Sequence, residues 1–150
     1  MSSSCFDMGH FTESLGFCRS EEVQKEQEKD SAVERLKIRE IEAIITGYRG
    51  DPSAAIIALT QTAQELRALG ERRQYAQILL SLKEFQLTMS DIAGASRSVE
   101  ESNSIFSELG DLEGEMMASQ SLAGTFSFLG DVANADKRYA RAAELGNKFG

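Results

Sequence analysis

The sequence predicts an all-α chain, an α-solenoid of three antiparallel helix pairs. Three observations carry this. Residue types recur at an offset of forty, a Gly-Asp or Ser-Asp corner divides every unit, and no stretch sustains the period-two alternation of a strand. Leu69-Gly70-Glu71 returns as Leu109-Gly110-Asp111, and Gly50-Asp51 returns as Ser90-Asp91 and Gly130-Asp131. Four residues after each of these corner aspartates stands an alanine: Ala55, Ala95 and Ala135. Apolar positions keep step, with Leu59, Val99 and Tyr139, then Leu66 and Phe106, then Leu69, Leu109 and Phe149. Earlier in the unit, Leu82 matches Leu122 and Ala43 matches Ala123. The ruler marks units 31–70, 71–110 and 111–150, behind a flexible or partly helical leader of residues 1–30.

Each element has a local reason. Within 31–49, Val33, Leu36, Ile41, Ile44, Ile45 and Tyr48 fall mostly at three- and four-residue steps and predict one apolar helix face. Ser31-Ala32-Val33-Glu34 has capping-box spacing, which places the helix start there. Gly50 suits the left-handed residue that ends a helix, and Asp51-Pro52 supplies an N-cap followed by proline at the first helical position. Ile56, Leu59, Ala63 and Leu66 line the second helix up to Gly70. So short a turn makes the two helices antiparallel, and an alanine at 55, 95 or 135 lets their backbones approach. Each pair leaves an apolar face that only its neighbour covers. At the far end Tyr139, Ala142 and Phe149 cap the stack imperfectly, and truncation, end-to-end self-association and a frayed edge are all open readings.

Residues 1–20 are Ser-rich, yet Phe6, Phe11, Leu15 and Phe17 make them more apolar than a typical disordered tail. They read either as a leader packing loosely on the first repeat or as a short segment that occupies a groove, in cis or in a neighbouring copy. Residues 21–30 are nearly all charged or Gln, a solvated linker or an extension of the first helix.

Composition narrows the function. The 150 residues make room for one domain. Sixteen Lys and Arg against 24 Asp and Glu give a net charge of −8, which argues against a nucleic-acid or anionic-membrane binder. No apolar run approaches the ~20 residues of a membrane span. Cys5 and Cys18 are the only cysteines, so no disulfide framework is expected, and the N-terminus lacks a secretory signal. A cytoplasmic protein is expected.

No catalytic or cofactor chemistry emerges. Cys5, His10 and Cys18, with Asp7 or Glu13, match no zinc-ligand spacing, and a Cys-His nucleophile there would have no rigid support. Gly110-Asp-Leu-Glu-Gly114 carries carboxylates that would repel a phosphate, and no calcium loop of alternating aspartates is present. Met116-Met117 falls at an apolar position of a first helix, where core packing is expected. The expectation is a non-enzyme with no metal and no cofactor.

Gly-Asp-x-x-x-Ala at 130–135, Leu-Gly-Asp at 109–111 and the Leu122-Ala123 pair resemble tetratricopeptide repeats, and the forty-residue period resembles their long-helix subclass. The resemblance covers 31–150 and implies a right-handed superhelix whose first helices line a concave groove. Carried over, the groove presents Lys37, Glu40, Ile44 and Tyr48, then Gln77, Leu80, Ser81, Glu84 and Thr88, then Met117, Gln120, Ser121, Gly124 and Phe128. Family members that clamp acidic C-termini use Lys, Arg and Asn at places held here by Glu40, Ile44, Ser81, Met117 and Ser121, so that ligand is not expected. Ile41, Ser81 and Ser121 stand where the subclass often has Asn. The implied function is an adaptor or scaffold binding a peptide or helix with apolar anchors and basic residues. Tyr48 and Phe128 would be the aromatic anchors, and Glu40 and Glu84 the acidic ones, with Lys37 the only positive charge. The alternative is a ligand- or peptide-sensing repeat domain of a signalling or transcription regulator, separate from its effector.

Overall fold

A computed structural model describes residues 11–149, without the side chains of 11–18 and 149. Cys5, Phe6 and His10, and the side chains of Phe11, Leu15, Phe17, Cys18 and Phe149, lie outside the described residues. Six helices follow one another: α1 (Phe11–Tyr48), α2 (Pro52–Ala68), α3 (Arg72–Thr88), α4 (Ile92–Glu108), α5 (Leu112–Phe128) and α6 (Val132–Phe149). Among the described residues there is no strand. The chain is all-α, a solenoid-like helical repeat in which α2 packs on α3, α3 on α4, α4 on α5 and α5 on α6.

Two compact units divide the chain after Lys37. The described part of the first is the long N-terminal stretch of α1. Ser31 and Glu34 lie inside that helix and cap nothing, which corrects the predicted start. Capping-box spacing is only a local signal, and here the helical backbone continues through it, so the amides it would satisfy already have helical partners.

The second unit, from Ile38 onward, holds α2 to α6 and the last turns of α1. Its regularity comes from five corners at Gly50, Gly70, Ser90, Gly110 and Gly130, all with positive φ. At each, two amides turn back into the helix just ended: Gly110 N–H donates to Ser107 C=O at 3.1 Å, and Asp111 N–H to Phe106 C=O at 3.0 Å. This is a Schellman stop, and it satisfies carbonyls that the helix end would otherwise strand. The residue after the left-handed position also starts the next helix. Asp51, Asp91, Asp111 and Asp131 accept from the amides of Ala54, Gly94, Gly114 and Asn134 at 3.0, 2.9, 3.0 and 3.2 Å. At these four corners one aspartate closes one helix and opens another, while at the fifth Glu71 starts α3 without a side-chain cap; the corners fall every twenty residues and α2 to α5 are each 17 residues long.

Pairing within each hairpin is equally repetitive. Arg39 to Glu65, Tyr75 to Glu101 and Arg141 to Glu115 are side-chain hydrogen bonds across a pair, at 2.8, 2.8 and 2.9 Å. Each spans 26 residues in sequence, and the second and third stand at equivalent positions forty residues apart. Ala55, Ala95 and Ala135 are all buried, as small residues at a close approach should be. Between pairs, Phe106 of α4 is fully buried with Ala76 and Ala118, and its ring fills the space that a side chain at Gly114 would occupy.

From Ile38 to Tyr48, the buried line of α1 differs from the predicted apolar face. Ala43 and Gly47 are buried, whereas Ile41, Ile45 and Tyr48 are exposed. The reason is steric. The Phe85 ring of α3 lies directly on Gly47, so the helices meet along the small residues and the bulky ones are left on other faces.

A groove across the first helices

The first helices of the three pairs, α1, α3 and α5, present one side of each to a common open groove of about 610 Å³. Glu40, Ile44 and Tyr48 come from α1. Gln77, Leu80, Ser81, Lys83, Glu84 and Phe85 come from α3, and Met117, Gln120, Ser121 and Gly124 from α5. Residues three or four apart on a helix share a face, which is why 40, 44 and 48, then 77, 81 and 85, then 117, 121 and 124 come together.

Sequence reasoning placed most of these here, and three of its residues fall elsewhere. Lys37 belongs to the other compact unit and is not among the lining residues. Thr88 hydrogen-bonds through its hydroxyl to Glu84 C=O at 3.0 Å and does not line the groove. Phe128, 65% exposed at the end of α5, is also outside it. Met117 is exposed on the groove wall, not packed in the core.

Lys83 is a lining residue that the sequence reading did not include, and it adds a cation to the groove. The residue is only 7% exposed. Its ammonium lies 2.5 Å from the Glu84 carboxylate. In the other pairs this register holds buried Ala43 and Ala123. The sequence signal was available: a lysine stands where the repeat has alanine. The signal is weak because a lone lysine on an amphipathic helix ordinarily reads as a solvated face.

The remaining polar contacts preorganise the floor. Ser81 Oγ donates to Glu40 Oε1 at 3.2 Å, tying α3 to α1. Tyr48 stands edge-on to Phe85 with ring centroids 5.4 Å apart, so the buried ring supports the exposed one. The result is a trough lined by Ile44, Leu80, Met117 and the two rings together with glutamine and serine side chains, the carboxylates of Glu40 and Glu84, and Lys83. Chemically it offers carboxylates to a cation, amides and hydroxyls to a peptide backbone, and an aromatic platform to an apolar side chain.

Among the described residues, no three His, Cys, Asp or Glu side chains are grouped to hold a metal ion. Nor is any helix long and apolar enough to cross a membrane. Compared with known proteins, the chain matches no family model and no curated protein.

Proposed function

We propose that the repeat unit is a non-enzymatic protein–protein interaction module, an adaptor or scaffold of the tetratricopeptide type. It takes a peptide or helix in the groove of α1, α3 and α5, in a cytoplasmic setting. The ligand has apolar anchors for Ile44, Leu80, Met117 and Tyr48, and a Lys or Arg that meets Glu40 and Glu84.

The observation that supports this reading is the convergence of the first helices of three successive pairs on one open trough that combines apolar side chains with two carboxylates. Such a surface suits a chain segment, since it is open and built from a repeated register. Aromatic anchors with a charged rim are the usual division of labour in peptide grooves: the anchors supply affinity and the charges supply selection.

The test is selection of binders from a random peptide library displayed on phage, with the intact chain as bait. Winning sequences should combine apolar residues with Lys or Arg. They should bind the Tyr48→Ala variant at least tenfold more weakly, and leave binding to Phe128→Ala unchanged. Peptides indifferent to Tyr48, or no enrichment at all, would count against the reading.

A further inference from the structure

Packing alone does not call for a lysine at position 83. Its Cα stands in the register of Ala43 and Ala123, both buried, and Lys83 itself is as buried as they are. Residues adjacent on a helix do not face each other. Yet the Lys83 ammonium reaches Glu84 Oε1, on a half-exposed side chain that lines the groove. The long stem therefore runs from an interior register out to the groove wall and delivers its charge there.

An ammonium has three donors, and Glu84 is the partner of this one among the described residues. In the open groove, water can serve the other donors. A ligand that fills the trough strips that water away. Unless it brings an acceptor, donors of a buried cation are left unsatisfied, and the penalty falls on binding. Sites built this way discriminate strongly, because a ligand without the matching group leaves the site's own polar atoms unpaired. A carboxylate meets the requirement best, since it answers the charge as well as the donors. Glu84 meets Lys83 through Oε1, and its other oxygen is available to a ligand's cation.

We propose that Lys83 is the specificity-determining residue of the groove. The ligand is a peptide that carries an Asp or Glu for the Lys83 ammonium beside the Lys or Arg that meets Glu84. The two charges of the ligand and the two of α3 then form one network of alternating sign, and peptides with the base alone bind weakly. This rests on the groove being the binding site, as proposed above, and adds the group that the buried lysine selects.

The test is calorimetric titration of peptides selected on the intact chain, against the parent, Lys83→Met and Lys83→Ala, with Tyr48→Ala reporting on the groove itself. Lys83→Ala introduces the residue that the other two pairs hold in this register, so it should fold, and unchanged helical circular dichroism checks each variant. Peptides that lose affinity on Tyr48→Ala should carry an Asp or Glu next to the base or one helical turn from it. Changing that acid to its amide should weaken binding to the parent about tenfold or more, and binding to either Lys83 variant by less than about threefold, since the group it met is gone. Tyr48-dependent peptides without an acid, or with an acid whose exchange costs the parent and the Lys83 variants alike, would overturn the proposal and leave the groove as the binding site. Peptides indifferent to Tyr48, or no binders at all, would overturn both.

Discussion

The Phe85 ring occupies the space that a side chain at Gly47 would need, and this contact sets how closely α3 approaches α1. Gly124, on α5, has nothing within 4 Å of where its Cβ would stand. The same substitution should therefore have opposite signs at the two sites. Gly47→Ala gains helix propensity, worth about 1 kcal/mol, but forces a buried ring aside, which typically costs about 1–3 kcal/mol. It should destabilise on balance. Gly124→Ala should stabilise by up to about 1 kcal/mol. Urea denaturation of the two variants decides it.

Ser90 is the one non-glycine among the left-handed corners, with φ +62°. A Cβ in that conformation costs roughly 1–2 kcal/mol. Ser90→Gly should raise stability by about 1 kcal/mol, and Gly110→Ser, at φ +66°, should lower it comparably. Midpoints of thermal or urea unfolding give both values.

Lys83 is a buried ion at a position that elsewhere in the stack is alanine. Its partner Glu84 is half-exposed and can rely on water once the ammonium is gone. Lys83→Met keeps the aliphatic stem and removes the desolvated charge. It should leave stability within about 1 kcal/mol of the parent or improve it, as replacements of buried ions by apolar groups often do. A larger loss by urea titration would mean that the Lys83–Glu84 pair holds α3 in place.

Acid should act through the corners. Burial pushes the Asp111 carboxyl up, but the Gly114 N–H, the hydrogen bond and charge of Arg73, and the Glu113 N–H outweigh it, so its pKa lies below the usual aspartate value. Arg73 Nε is 2.7 Å from Asp111 Oδ2. A depressed folded-state pKa stabilises the fold above the unfolded value of about 3.9, and that contribution fades as pH falls through it towards the folded value. Asp131 behaves alike, held down by the side chain and then the backbone amide of Asn134. Asp111→Asn should be less stable than the parent near neutrality, and the gap should narrow from about pH 5 downwards. Unfolding free energies measured across that range check the sign.

Much of this architecture was legible in residue types. The corners were readable because left-handed backbone selects glycine and helix starts select aspartate, and both choices are dictated locally. The groove was readable for the same reason: once the register is fixed, residues such as Glu40, Ile44 and Tyr48 must share a face. What escaped were outcomes of packing. Ser31 looks like a cap, but nothing local says that the helix has already begun at Phe11. Ile41 and Ile45 look like core, yet Phe85 from another pair decides that Gly47 is the contact side. Lys83 is typed as a surface residue and becomes buried only because its register is an interior one.

The proposed role of the groove is tested most directly by a charge swap. A basic, apolar peptide selected on the intact chain is titrated calorimetrically against the parent and against Glu84→Lys. The same pair is then titrated with a peptide in which that base is replaced by Glu. Affinity should fall about tenfold or more for either change alone and recover substantially when both are made, the coupling of two charges that touch. Losses that simply add, with no recovery in the double change, would show that the peptide's base does not meet Glu84 and that ligands are not read in this groove as described.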